Sequence, residues 1–188
     1  MVSLGDLWLP ILLSAVFVFI ASSVIHMAIP MHKGDWVKLP GEDRILEALR
    51  AQNVPPGSYM FPMAASMKDC SSPEMVAKMK IGPVGNMTVI PSGPMSLGKP
   101  LAQWFVFCLV VGLLVAYVGR LGLSVGADST LVFRLTSAAA FLGYGLTNVT
   151  DSIWKGVRWG ITGKFLIDGL IYGLLTGVTF RWLWPDLS

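Results

Sequence analysis

Long apolar segments dominate the pattern of hydrophobic and polar positions along this chain of 188 residues. A helix needs about 20 residues to cross a hydrocarbon core about 30 Å thick. Four segments approach that length, at residues 7–29, 101–119, 131–149 and 165–184. They predict an all-α membrane bundle of four transmembrane helices.

The third of these segments is the least apolar, because it contains Arg134 and several hydroxyl residues. Arg134 lies close to the start of the segment, and its guanidinium can reach the lipid headgroups from there. We therefore interpret residues 131–149 as a span. With four spans, both ends of the chain are expected on the same side of the membrane.

Residues 31–100, between the first two spans, are too many for a bare connection and predict a small folded cap. The segment at 40–52 has apolar residues at helical spacing, and Ser72 followed by Pro73 is a typical helix start. The segments SYMFPM and NMTVI predict two short strands. We expect a transmembrane helix at 1–30, an extramembrane α+β cap at 31–100 and three further transmembrane helices at 101–188.

Composition and charge narrow the class of protein. Charged residues make up 13% of the chain and the mean hydropathy is +0.65, which excludes a disordered protein and an ordinary soluble globule. Most basic residues fall in the cap, in the 150–164 loop and at the adjoining span ends. The positive-inside rule therefore predicts that the cap and this loop are cytoplasmic and that both termini are periplasmic. The net charge of +3 suits membrane lipid as a partner, but nucleic acid requires a denser basic patch.

Small residues recur every four positions in three of the predicted spans. They are Gly169, Gly173 and Gly177 in the last span, Cys108, Gly112 and Ala116 in the second, and Ala139, Gly143 and Thr147 in the third. Such faces allow two helix backbones to approach closely. We predict helix packing within one chain, with a protein partner or self-association through the glycine face as the alternative.

Asp168 is an acidic residue about one turn inside the last predicted span, where an isolated charge is costly. Lys164 precedes it by four residues, so the two could form an ion pair that anchors the helix near the membrane surface. His26 lies at a similar depth in the first span and offers a second partner. A His26–Asp168 couple could relay a proton or gate a pathway, since histidine titrates near neutral pH.

The methionine-rich part of the chain contains candidate copper ligands. They are His26, His32, Met60, Met63, Met67 and Cys70. The last four have the helical spacing i, i+3, i+7 and i+10, and soft sulfur and imidazole ligands suit Cu(I). The competing interpretation is a helix face of flexible apolar side chains, buried or lying on the bilayer. We favour this second interpretation and predict no metal and no cofactor.

Enzymatic chemistry finds little support in the sequence. It contains no nucleophile elbow, zinc-protease helix or phosphate-binding loop. Two cysteines cannot build a disulfide framework or a four-cysteine zinc site. We therefore predict no catalytic residue and no enzymatic activity.

Three stretches of the chain resemble a family of small bacterial multi-span inner-membrane proteins that has no assigned activity. They are MHKGDWVKLPGED at 31–43, GPVGNMTVIPSGPMSLGKPLAQWF at 82–105, and DSIWKG with DGLIYGLLTGVTFRWLWP between 151 and 185. The resemblance implies a bacterial inner-membrane protein with several spans. It carries over no catalytic or cofactor-binding residue.

Three functions remain as hypotheses. We expect a structural or accessory subunit of a bacterial membrane complex, because the glycine face and the cap are features that a partner subunit would use. The alternative is a small transporter or channel with a polar path near Asp168 and His26. The third hypothesis is membrane copper handling through the methionine-rich cap.

Overall fold

The computed structural model describes residues 2–186 and separates into two compact units. The first unit comprises the chain up to Asp35 and from Ser96 onward, and the second comprises Trp36–Met95. The helices are α1 (Trp8–Met27), α2 (Glu42–Ala51), α3 (Pro73–Ile81), α4 (Gly98–Gly122), α5 (Ser129–Tyr144), α6 (Val149–Lys155) and α7 (Trp159–Leu183), and the strands are β1 (Gly57–Phe61) and β2 (Gly85–Val89). Both strands belong to the second unit.

Three helical segments are long and apolar enough to cross a membrane. They are Gly5–Met27, which joins a short 3-10 turn to α1, Gly98–Gly122, which is α4, and Trp159–Leu183, which is α7. Their outward faces carry apolar side chains such as Ile20, Leu114 and Val178, each about half exposed. The prediction of a helical, membrane-embedded protein is confirmed to this extent.

The predicted count of four transmembrane helices is not confirmed, because α5 has only 16 residues. At 1.5 Å per residue it reaches about 24 Å, less than the hydrocarbon thickness. The side-chain amide of Asn148 donates hydrogen bonds to the carbonyl oxygens of Tyr144 and Gly145, at 3.1 and 3.0 Å. These bonds satisfy the last carbonyls of α5, and the chain continues as a 3-10 turn at Leu146–Asn148.

The most extensive helix contact in the described part of the first unit joins α5 and α7, and it depends on glycine. A Cβ atom added at Gly173 would lie 3.0 Å from the carbonyl oxygen of Ser137. At Gly169 the added atom would overlap the backbone of Gly145, and at Gly177 it would overlap the Ser137 hydroxyl. The glycine face is therefore filled by α5 of the same chain, which runs antiparallel to α7.

Gly112 on α4 faces α1 in the same way. The inward-facing small residues of α4 are Cys108, Gly112 and Ala116. An added Cβ at Gly112 would lie 3.2 Å from the carbonyl oxygen of Ile11. Further along this antiparallel pair, the indole N–H of Trp104 donates to Ser22 Oγ at 2.8 Å.

Two hydrogen bonds join the α4–α5 connection to the end of α7. The backbone N–H of Gly126 donates to the carbonyl of Pro185, and the indole N–H of Trp184 donates to the carbonyl of Ser124, both at 2.9 Å. The end of α7 therefore lies beside the end of α4 and the start of α5. The start of α7 and the end of α1 lie together at the opposite end of the bundle.

The second unit has the helix–strand–helix–strand order that the sequence predicts. β1 and β2 pair antiparallel, with Tyr59 opposite Met87. The predicted helix start is present in α3, where Ser72 Oγ accepts a hydrogen bond from the backbone N–H of Met75 at 3.2 Å. Met75 is the one buried apolar side chain of this unit among the described residues, so its core is small.

We expect Gly169→Ala to destabilise the bundle by about 1–3 kcal/mol, because the added methyl group overlaps backbone atoms that can move only with α5. Titration of the detergent-solubilised protein with a denaturing detergent, followed by circular dichroism, measures this loss. Gly163→Ala is the matched control on the same helix, since its added Cβ meets nothing within 4 Å. Equal stability of the two variants would contradict close packing of α7 against α5 at Gly169.

Candidate functional site

A cluster of ionisable side chains lies where the end of α1 meets the start of α7. His26 is in the last turn of α1, and the chain then folds back through a 3-10 turn at Pro30–His32. Pro30 has no N–H and cannot extend the hydrogen-bond ladder of α1. The turn brings His32 beside His26, and both histidines contact Asp168 on α7.

The two histidines share one oxygen of Asp168. His32 Nε2 lies 2.9 Å from Asp168 Oδ2, and His26 Nε2 lies 3.5 Å from the same atom. The imidazole centroids are 4.3 Å apart, and the Phe165 ring packs against both. The structure therefore brings His26 and Asp168 together, and it adds His32 as the closer partner.

Asp168 is deeper in its helix than the sequence pattern implies. α7 begins at Trp159 and not near residue 165, which places Asp168 more than two turns inside the helix. A charged carboxylate inside an apolar helix is costly unless it is paired or hydrated. Its neighbours are therefore important to the stability of this end of the bundle.

A second carboxylate completes the cluster. Asp35 Oδ2 lies 2.8 Å from His32 Nδ1, and Lys164 donates a hydrogen bond to Asp35 Oδ1. That hydrogen bond is the main cause of a lowered pKa at the Asp35 carboxyl, and the bond with His32 lowers the pKa further. The ion pair of Lys164 is thus with Asp35, whereas the spacing in sequence had suggested Asp168. Asp168 faces the bundle interior, while the flexible lysine extends toward the helix end.

His32 lies between two carboxylates, with Nδ1 toward Asp35 and Nε2 toward Asp168. A neutral imidazole can donate a hydrogen bond from only one of its nitrogens. His32 therefore donates to both carboxylates only as an imidazolium cation. A positive charge between Asp35 and Asp168 satisfies the cluster, whether His32 or a bound cation carries it.

Exposure decreases from the outside of the cluster inward. The side chain of His26 is 40% exposed, that of His32 is 12% exposed and that of Asp168 is 3% exposed. Asp168 Oδ1 is buried and has no hydrogen-bond partner among the described residues. Such an oxygen is uncommon inside proteins and leaves Asp168 with unused capacity for a ligand.

Polar groups continue from Asp168 along the buried side of α7. Tyr172 and Thr176 follow at intervals of four residues, and both are buried. The hydroxyls of Tyr172 and of Ser137 on α5 are buried and lack a partner within residues 2–186. A line of polar side chains therefore extends from the cluster into the bundle.

The cluster has the composition of a metal site. One ligand atom from each of His26, His32 and Asp168 lies within 4.8 Å of the other two. A cavity of about 360 Å³, lined by residues 26–30, 32 and 33, borders the two histidines. The two histidines are therefore accessible to a small ligand from that side, whereas Asp168 is buried.

The proposed copper ligands of the second unit do not form a helical stripe. Met60 is in β1, Met63 and Met67 are exposed, and Cys70 is in a 3-10 turn. The helical interpretation of their spacing is wrong, because Pro62 interrupts the segment and favours an extended residue before it. All four belong to the second unit, whereas the two histidines belong to the first.

Sequence reasoning missed the role of Asp35. The signal was present in the segment MHKGD, where a histidine and an aspartate are three residues apart. That spacing became informative only with the 3-10 turn, which turns both side chains toward α7.

Comparisons of the chain with models of known families, with curated proteins and with solved structures found no match. The resemblance to a family of bacterial inner-membrane proteins therefore stays a prediction. The fold and the site together define the structural class of this protein. This class is a helical, membrane-embedded protein with a histidine–aspartate cluster at one end of its bundle.

We expect Asp35→Asn and Lys164→Gln each to lower the melting temperature of the detergent-solubilised protein by a few degrees, because each leaves the other charge without its partner. The double variant should melt no lower than the worse single variant, since it carries no unpaired charge. Scanning fluorimetry measures all four proteins. The matched control is the exposed Lys99→Gln combined with Asp35→Asn, where the two effects should add. Additive losses for Asp35 and Lys164 would contradict a direct ion pair.

Proposed function

We propose that this chain is an integral membrane protein that binds a cation at the His26–His32–Asp168 cluster and passes it along the polar interior of the bundle, as a small transporter or channel does. One observation carries the proposal. A buried carboxylate lies well inside an apolar helix, and two imidazole nitrogens face one of its oxygens.

The alternative role of Asp168 is a structural anchor, and the contacts argue against it. An anchor would need only the ion pair with Lys164, but Lys164 binds Asp35. Asp168 retains a buried oxygen without a described partner. Charged residues inside membrane spans are costly, and those that are kept commonly mark ion or proton pathways.

The buried row on α7 supports conduction beyond the cluster. Asp168, Tyr172 and Thr176 lie on one side of the helix, and the buried hydroxyl of Tyr172 has no partner among the described residues. Apolar side chains would have filled this space at lower cost. The Thr176 hydroxyl donates to the carbonyl of Tyr172, so the unpartnered oxygens of Asp168 and Tyr172 are the proposed sites for water or a moving cation.

The other two functional hypotheses stay predictions with less support. The glycine face, which was the main argument for an accessory subunit, packs against α5 of the same chain. A partner subunit would need a different surface. Copper handling through the cap loses the helical stripe on which it was based.

A four-pass topology is part of the proposal, with α5 as the shortest pass. α5 runs antiparallel to α7 along the glycine contacts. Together, α5 and the 3-10 turn that follows it are about 30 Å long. Residues 31–100 and 150–164 would then lie on one side of a bacterial inner membrane and both termini on the other. The positive-inside rule favours the cytoplasm for residues 31–100.

Cysteine labelling tests this orientation. Cys70 is exposed and Cys108 is buried, so a membrane-impermeant maleimide should report on Cys70 alone. We expect little labelling in intact spheroplasts and strong labelling after lysis. Cys70→Ser is the control and should show no signal in either sample. Efficient labelling of intact spheroplasts would reverse the proposed orientation.

Ion flux tests the function. We expect purified protein in liposomes to carry a flux of protons or of Zn²⁺, reported by two dyes trapped inside, and we expect Asp168→Asn to reduce that flux at least about tenfold, since one lost charge contact of 1.4 kcal/mol has this effect. Asp43→Asn, an exposed aspartate on α2, is the matched control and should retain the flux. The proposal fails if neither dye responds to the wild-type protein, or if Asp168→Asn conducts as well as the wild type.

A further inference from the structure

We propose that the cation is a divalent transition-metal ion, with Zn²⁺ as the best fit, held by His26 Nε2, His32 Nε2 and a carboxylate oxygen of Asp168. The inference rests on the proposed function, since it names the cation that the same cluster takes. It is carried by the geometry of the three ligand atoms and by the groups behind them.

The ligand atoms are already spaced as ligands of one ion would be. Two ligands bound to a tetrahedral Zn²⁺ at its usual distances are about 3.3 Å apart. The observed distances from Asp168 Oδ2 are 2.9 Å to His32 Nε2 and 3.5 Å to His26 Nε2. One ligand atom from each of the three residues lies within 4.8 Å of the other two. Small side-chain rotations therefore suffice to place them around one ion.

His32 contacts a carboxylate through its second ring nitrogen, as metal-binding histidines usually do. A histidine that binds a metal usually donates its other ring N–H to a carboxylate or carbonyl, which orients the ring. Asp35 Oδ2 lies 2.8 Å from His32 Nδ1, and Lys164 holds the other oxygen of Asp35. This chain of contacts aims His32 Nε2 at Asp168. Asp35 and Lys164 are thus positioning residues.

Asp168 supplies the third protein ligand, and the cavity supplies space for a fourth ligand. Oδ1 of Asp168 is buried and unpartnered among the described residues, so the carboxylate can turn or bind through both oxygens. The cavity of about 360 Å³ beside His26 and His32 leaves room for a water molecule as the fourth ligand. Three protein ligands and an open position are typical of zinc sites that exchange or activate a ligand.

The donor set selects among metals. Mg²⁺ and Ca²⁺ prefer oxygen ligands alone, and Cu(I) prefers thiolate or thioether sulfur. Two imidazoles and one carboxylate suit Zn²⁺ and its neighbours in the transition series. None of the three ligand residues offers sulfur, which separates this site from a copper site built on the methionines and Cys70 of the second unit.

The test measures metal bound to untagged, full-length protein in detergent. After loading with Zn²⁺ and gel filtration, we expect one Zn²⁺ per chain by elemental analysis. His32→Ala and Asp168→Asn should each bind Zn²⁺ at least about tenfold more weakly. Asp35→Asn should weaken binding by about 10–100-fold while keeping the same stoichiometry, as expected for a group behind a ligand. Co²⁺ substitution adds a readout of the ligands, since its visible spectrum should change in His26→Gln.

Controls separate this site from nonspecific binding. Cys70→Ser and Asp43→Asn remove a thiol and a carboxylate from the second unit and should bind Zn²⁺ as the wild type does. An excess of Mg²⁺ should not displace Zn²⁺. A gel filtration profile identical to that of the wild type shows that a variant remains folded. If His32→Ala does not fold, the conservative variants His26→Gln and Asp35→Asn still test the site.

The outcomes distinguish this inference from the proposed function. Wild-type protein that retains no Zn²⁺, or site variants that bind it as tightly as the wild type, would overturn the inference. If a proton flux still depends on Asp168 in that case, the proposed pathway stands with a different cation. If Zn²⁺ binds at this site but neither dye reports a flux, the metal site is supported and transport is not.

Discussion

The close approach of α5 and α7 determines how the interior of the first unit is arranged. Three glycines on α7 allow its backbone to touch α5. An added Cβ would overlap α5 at Gly169 and Gly177 and would crowd it at Gly173. Asp168, Tyr172 and Thr176 each precede one of these glycines, so they lie about 100° around the helix from the contact. Placing the glycines against α5 therefore turns the polar row away from lipid, toward α1 and α4.

Contacts of the polar row with α1 and α4 confirm this orientation of α7. His26 at the end of α1 meets Asp168, and the Trp104 ring of α4 lies 6.0 Å from the Tyr172 ring between centroids. The same helix thus has one inward face of small residues and one of polar residues. Helices that associate in lipid lack a hydrophobic driving force and depend on such close packing, so the glycine contact stabilises the burial of the polar row.

Sequence patterns could predict the three long helices, because uninterrupted apolar stretches have one dominant explanation. They also paired His26 with Asp168, since depth can be counted from the span ends. The end of α5 could not be predicted in this way, because hydropathy averaged over residues 131–149 conceals the hydrogen bonds of Asn148. The partner of Lys164 was missed for a related reason. Helical spacing tells which side chains can meet, but the turn after α1 supplies a better partner in Asp35.

The order of exposure in the cluster limits how a cation can reach it. His26 borders the cavity and is the most exposed, His32 is largely covered, and Asp168 is buried. A cation from the cavity would meet an imidazole before it meets the carboxylate. It would therefore lose its hydration water in steps, so that the free-energy cost of desolvation is not concentrated in one step. Asp35 and Lys164 hold His32 throughout, whereas His26 has no such support in the described contacts. If the cluster binds an ion as proposed, one fixed and one accessible imidazole would favour exchange of that ion over permanent retention.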